Sequence, residues 1–168
     1  MNSDLVVMGV AGCGKSSLAR AFADAEAMPL IEGDAFHSAE SVDKMRHGVA
    51  LTDADRTGWL ERLCAELQAY PQGVVLTCSA LRRAYRERLR AASPGLRFAF
   101  LEIDRDAALM RVRSRGAEHF FSAGLVDSQF DTLESPLGEA GVLRLDATLP
   151  LAELQQQLSA WWRPAETR

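Results

Sequence analysis

The residues Gly9-Val10-Ala11-Gly12-Cys13-Gly14-Lys15-Ser16 carry the spacing G-x-x-x-x-G-K-S, the pattern of a phosphate-binding loop. Glycines let the chain curl until successive backbone N–H groups converge on one anion. The helix that follows adds its own unpaired N–H groups and the positive end of its dipole. Lys15 is placed to reach the β- and γ-phosphates of a nucleoside triphosphate such as ATP, and the Ser16 hydroxyl to hold Mg2+. A chance glycine-rich turn would lack the flanking elements. Here the apolar run Leu5-Val6-Val7-Met8 predicts a buried strand before the loop, and Leu18, Ala19, Phe22 and Ala23 predict one apolar helical face after it. Cys13 reads as a small filler whose backbone is what the loop uses.

A phosphoryl group needs a receiver. Glu32-Gly33-Asp34, with His37 close behind, ends a short predicted strand over Met28-Pro29-Leu30-Ile31. Carboxylates at that end of a strand sit where open α/β sheets bind ligands. A hydroxyl acceptor requires a base or an orienting carboxylate near the γ-phosphate, and Asp34 is the candidate, with water-mediated help to Mg2+. Glu32 is a candidate for the waters around the metal. On spacing alone the same acids also fit a turn and a helix cap.

Arg82, Arg86 and Arg90 recur at i, i+4 and i+8 and so share one helical face, with Arg83 beside them. The first turns of that helix overlook the cleft, where a guanidinium fork suits a carboxylate on the acceptor. Ser79 and Tyr85 add neutral hydrogen bonds; the alternative is a solvated charged face. Arg111, Arg113 and Arg115 precede His119-Phe120-Phe121 in a stretch without clear period, read as a lid over about residues 113–123. Arg111 and Arg115, one turn apart, would meet the charge on the transferring phosphoryl group as the lid excludes water; helix solubility is the competing use. Asp55-Arg56-Thr57-Gly58 matches the D-x-x-G of GTPases, but follows no apolar strand and has no N-K-x-D companion.

The elements needed to position these groups alternate strand and helix, which predicts an α/β fold with a mostly parallel sheet. Strands are expected over Val74–Cys78, from Phe98 to Ile103 and over Val142–Leu145. Helices are expected at residues 38–48, after a Thr52 cap completed by Asp55, from Ala80 to Ala92, and from Asp104 with Leu109, Met110 and Val112 inward. Two more run from Leu125 to Leu133 and along Leu151, Leu154 and Leu158 to Trp161-Trp162. The third strand ends in Thr77-Cys78-Ser79, so the metal-binding acid usual at that place in phosphate-loop proteins has no candidate there.

At 168 residues the chain is read as one domain, residues 1–168. A net charge of −4 argues against nucleic acid as a partner, and no apolar run is long enough to span a membrane. Met1-Asn2-Ser3-Asp4 leads straight into the first strand, which leaves no room for a secretion signal. Three scattered cysteines suggest neither a disulfide framework nor a zinc site, and a reducing cytoplasm is expected.

Taken together, several stretches resemble the gluconokinases, small phosphate-loop sugar-acid kinases related in fold to shikimate and adenylate kinases. The resemblance rests on Gly9 to Ser16; Glu32-Gly33-Asp34-Ala35-Phe36-His37; Lys44-Met45 with Gly48; and Leu51-Thr52-Asp53-Ala54-Asp55-Arg56 with Trp59-Leu60. It continues through Cys78-Ser79-Ala80-Leu81 with Tyr85-Arg86 and Leu89-Arg90, then His119-Phe120-Phe121, Ser128-Gln129-Phe130 and Leu133-Glu134-Ser135-Pro136. It implies a P-loop NTPase fold with a five-stranded, mostly parallel sheet flanked by helices, a lid, and a homodimer. It also implies transfer from ATP, with Mg2+, to D-gluconate, giving 6-phospho-D-gluconate. Under it, Lys15, Asp34 and Arg115 are the expected catalytic residues. Gly9 through Ser16 with Arg111 and Arg115 would bind ATP, and Ser16 and Asp34 would hold the metal. Asp34, His37, Lys44, Arg56, Ser79, Tyr85 and Arg86 would surround the sugar acid. The chain departs from the family at Ser38, where proline is common, at Arg82 for a lysine, at Gly58 for a proline, and by one extra residue between Arg115 and His119. Another sugar acid, a shikimate-like acceptor, or a regulator that binds nucleotide without turnover are the other readings; ATP consumption dependent on a sugar acid separates them.

Overall fold

The structure is a computed structural model describing residues 3–115 and 123–164. Its centre is a sheet of five parallel strands, β1 (Leu5–Met8), β2 (Leu30–Glu32), β3 (Val75–Thr77), β4 (Arg97–Glu102) and β5 (Val142–Asp146), in the order β2-β3-β1-β4-β5. β1 is central, with Val6 opposite Leu76 of β3 and Phe98 of β4. All four of its residues are buried, as a strand covered on both faces requires.

Alternation along β1 divides the core. Leu5 and Val7 face α1 (Lys15–Glu26) and the closing helix α7 (Leu151–Trp162), in a cluster with Leu18, Phe22, Leu154 and Leu158. Val6 and Met8 face the other layer, where α3 (Asp53–Ala69) contributes Trp59, Leu60, Leu63 and Leu67 and α4 (Arg83–Ala92) contributes Tyr85 and Leu89. Of the two, α3 buries the four residues its periodicity predicts. A third, small cluster of Met45, Leu51 and Leu125 ties α2 (Ala39–Arg46) and the entry to α3 to α6 (Ala123–Thr132). Among the described residues no helix is long and apolar enough to cross a membrane.

The local signals hold at several ends. Thr52 accepts from the Asp55 N–H at 3.2 Å while the Asp55 carboxylate accepts from the Thr52 N–H at 2.9 Å, the predicted capping box of α3. Ser38 caps α2 and Asp104 caps α5 (Arg105–Ser114).

Three expectations are corrected. Met110 points outward and is 71% exposed; the inner side of α5 is Ala108 and Val112, because that helix lies close under the phosphate-binding loop. A Cβ at Gly12 would stand 2.8 Å from the Ala108 carbonyl and 3.2 Å from Val112 Cγ2, so only small groups fit on either side. Leu151 is also exposed, at the first turn of α7. And α4 starts at Arg83 rather than Ala80, since Ala80 takes a left-handed φ of 48° that turns the chain before the helix begins. The proposed lid lies largely at residues 116–122, with His119, Phe120 and Phe121, outside the described residues.

Candidate active site

Because every strand is parallel, the loops after β1, β2 and β3 rise from one edge of the sheet. Between them opens a cleft of about 460 Å³ whose wall includes Lys15, Ser16, Glu32, Asp34, His37, Arg56, Ser79 and Arg115. The structure thus brings these eight of the expected residues to one cavity.

On the phosphate side, Lys15 Nζ donates to the carbonyls of Gly9 at 2.9 Å and Val10 at 3.1 Å, lying back across the loop. Arg111 does not line the cleft. Its guanidinium braces the loop from behind, donating to the carbonyls of Gly12, Cys13 and Ala147 at 3.2, 3.3 and 2.7 Å. Arg111 therefore holds the loop backbone.

The carboxylate beside Ser16 comes from the second strand. Glu32 Oε2 accepts from Ser16 Oγ at 3.0 Å and from Thr77 Oγ1 at 2.7 Å. Thr77, at the end of β3, also accepts from the Gly33 N–H at 3.1 Å. Its hydroxyl therefore fixes the carboxylate beside Ser16 and the turn that carries Asp34. That turn needs glycine: a Cβ on Gly33 would lie 2.1 Å from the Thr77 carbonyl. No group of three or more His, Cys, Asp or Glu side chains able to hold a metal exists among the described residues. One hydroxyl with flanking carboxylates suits a Mg2+ bound mainly through phosphates and water.

On the acceptor side, Asp34 stands on a short 3-10 turn, Gly33–Phe36. Partial withdrawal from water would raise its pKa, but the neighbouring His37 imidazole and the charge of Lys15 outweigh this and hold it below the usual carboxylate range. His37 Nε2 is 3.6 Å from Asp34 Oδ1, and the imidazole stacks on Trp59 with centroids 4.4 Å apart. Trp59 Nε1 donates to the Gly33 carbonyl at 2.8 Å, so a core side chain locks the turn and carries the histidine. His37 Nδ1 is buried with no hydrogen-bond partner among the described residues. Arg56 reaches the cleft after donating to the Leu51 carbonyl at 3.0 Å.

Lys44, Tyr85 and Arg86 are not on the cleft wall. Lys44 Nζ is paired with Asp55 at 2.9 Å, which raises its pKa. The Tyr85 hydroxyl meets Asp53 and, at 3.4 Å, Arg56. Burial pushes the Tyr85 pKa up, and the Asp53 carboxylate adds to it. Arg86 is wholly buried: it donates to Glu139 at 2.6 Å, the Ala80 carbonyl at 2.7 Å and the Glu134 carbonyl at 2.9 Å. This corrects the expectation that Arg86 meets the acceptor's carboxylate. The shared face of Arg86 and Arg90 is turned inward onto Glu139, and Arg86 instead holds the left-handed Ala80 turn that presents Ser79 to the cleft.

Sequence reasoning assigned no role to Thr77, whose only signal was its place at the end of a core strand, or to Gln129. The latter accepts from the Ala11 N–H at 2.6 Å and lines the cleft.

Comparison with known proteins shows the family of the chain. The AAA domain family matches residues 5–136. The thermosensitive gluconokinase of Escherichia coli (strain K12) is 36% identical over 156 residues, covering 90% of this chain and 83% of that protein. The gluconokinase of Gluconobacter oxydans (strain 621H) is 41% identical over 145 residues, covering 84% and 80%. The crystal structure of a gluconokinase from Sinorhizobium meliloti 1021 superposes with a TM-score of 0.88 at 42% identity, covering 95% of this chain and 91% of that one. With a phosphate-binding loop and an acceptor-side carboxylate facing one cleft, the chain belongs to the gluconokinase family.

Proposed function

We infer that this chain transfers the γ-phosphoryl group of ATP to D-gluconate, giving ADP and 6-phospho-D-gluconate. The observation that carries this is the single cleft joining Lys15 and Ser16 to Asp34, His37, Arg56 and Ser79, in a chain of the gluconokinase family. Lys15 leaves the Gly9 and Val10 carbonyls to contact the β- and γ-phosphates, and the loop amides hold the β-phosphate. Ser16, with Asp34 and Glu32 acting through water, fits Mg2+, which when bound neutralises charge on the phosphates. Asp34, ionised at neutral pH, orients the acceptor hydroxyl and takes its proton as the new P–O bond forms. His37 Nδ1 gains a partner from the polyol, and Arg56 is the cation on the acceptor wall best placed for the carboxylate. Arg115 stabilises the charge on the moving phosphoryl group at the root of a lid over about residues 113–123.

ATP supply places the reaction in the cytoplasm, and a homodimer is the expected assembly, to be read by sedimentation. The function is tested by ADP release with Mg-ATP and D-gluconate, other aldonic acids, shikimate, AMP or no acceptor. Turnover only with gluconate is expected. ADP release indifferent to the acceptor would overturn the reading.

A further inference from the structure

Gln129 is a polar residue where α6 carries its buried face, between Val126 (0% exposed) and the half-buried Phe130, and is itself only 9% exposed. Its helix is staked to α5. Arg105 donates to Asp127 at 3.0 Å and to Asp131 at 3.3 Å, and its guanidinium lies 5.4 Å from the centre of the Phe130 ring. At the far end the Glu134 N–H donates to the Leu81 carbonyl at 2.7 Å. Gln129 is therefore held against the phosphate-binding loop by elements on both sides of it.

The contact to the loop is a backbone N–H, which can only donate, so the Gln129 atom that meets it must be the carbonyl oxygen. That fixes the amide's orientation and sends its NH2 group the other way. Among the described residues nothing accepts from that NH2, and it is not among the buried polar atoms lacking a partner. Gln129 lines the cleft together with Ala11, Ser128 and Arg115. Accepting from Ala11 also polarises the amide and makes the NH2 a better donor.

Ala11 is the third residue of the loop, ahead of the Gly14-Lys15-Ser16 amides at the start of α1 that hold the inner phosphates. An anion in front of Ala11 is therefore the terminal phosphate, facing the acceptor compartment of Asp34 and Ser79.

We propose that Gln129 reads the γ-phosphate: its oxygen holds the Ala11 amide and its NH2 donates to an oxygen of the phosphoryl group being transferred. The loop's own donor is thereby replaced by one reaching further into the cleft. The proposal rests on the kinase reading but does not depend on which acid is the acceptor.

The test is nucleotide binding without an acceptor, by calorimetry with Mg2+, comparing ADP with the non-hydrolysable β,γ-imido analogue of ATP. Gln129→Glu keeps the oxygen that accepts from Ala11 and replaces the donor with a second, charged acceptor. At pH 8 this variant is expected to weaken the triphosphate analogue about ten- to hundredfold, the range for one hydrogen bond to a charged group, with ADP moved less than about threefold. Should Gln129→Glu fail to fold, Gln129→Met, uncharged and of similar length, must lose the same triphosphate preference. Equal losses for both nucleotides would mean that Gln129 only props the loop, and no change in either would mean that its NH2 meets no phosphate; each outcome overturns the proposal. Loss of gluconate turnover in the wild type would bear on the proposed function and leave this comparison intact.

Discussion

Arg86 and Glu139 form an ion pair of 2.6 Å in which the arginine is shut off from solvent and the carboxylate nearly so. Burial would raise the Glu139 pKa, but hydrogen bonds from Arg86 and Arg90 outweigh it and hold the carboxyl below its usual range. Truncating one partner leaves the other charge buried and alone, which costs about 3–5 kcal/mol. Arg86→Met is therefore expected to lower stability by that order in a urea titration. Replacing both partners by Met should recover part of the loss. Weaker gluconate binding in Arg86→Met at unchanged stability would instead restore a direct contact to the acceptor.

Asp55 sets part of the acid limit. The Thr52 backbone N–H, then the Lys44 ammonium, lower its pKa from 3.8 to about 2. A folded-state pKa below the unfolded one means that protonation favours the unfolded chain. The stabilisation is thus complete above pH 3.8 and is lost as pH falls toward 2. In melts across that window Asp55→Asn should be flatter than wild type, and parallel curves would show that the capping box contributes nothing through charge.

Lys15 is half-buried, and its ammonium donates to two loop carbonyls. Lys15→Met should leave the melting temperature within a few degrees while cutting kcat by roughly a hundred- to a thousandfold, the scale of losing one preorganised donor at a developing charge.

Thr77 offers a finer test of the metal side. Thr77→Val keeps the shape but abandons the Glu32 carboxylate and leaves the Gly33 N–H unpaired, a cost of about 1–3 kcal/mol. The Mg2+ concentration for half-maximal activity should rise several-fold, and Thr77→Ser should restore it. A rise that serine does not reverse would point to packing instead.

Cysteine reactivity follows burial. Burial pushes the Cys78 thiol up to about 12, Cys13 is 1% exposed, and Cys64 is half-buried with its pKa also raised by burial. A thiol reagent at pH 8 should therefore label Cys64 first and slowly, and Cys13 and Cys78 only on unfolding. Rapid labelling of Cys13 would make the loop a redox-sensitive site.

Much of the fold was written in local patterns. Leu18, Ala19, Phe22 and Ala23 lie buried on α1, and Trp59, Leu60, Leu63 and Leu67 on α3, because each stripe has only one side of a sheet to meet. The phosphate-binding loop and the Glu32-Gly33-Asp34 turn were equally legible, since their chemistry comes from neighbours in sequence. What stayed hidden depends on partners far along the chain. The i, i+4 arginine face predicted a charged stripe correctly, but which way it points is decided by Glu139, 53 residues from Arg86. Met110 was misplaced because the space beneath the loop admits only residues the size of Ala108 and Val112. Gln129 stood in the Ser128-Gln129-Phe130 stretch of the family resemblance without a role, because its partner, Ala11, lies 118 residues away.

The pairing of α1 with α7 has a consequence for synthesis. The helix that follows the phosphate loop is translated early, yet Phe22 meets Trp162 edge to face at 5.5 Å and Glu26 pairs with Arg163 at 2.9 Å. β1 likewise waits for β3 and β4 before either of its edges is covered. A nascent chain therefore emerges from the ribosome with its nucleotide motif complete in sequence and still without a scaffold. The scaffold of the nucleotide motif thus depends on contacts with segments far along the chain.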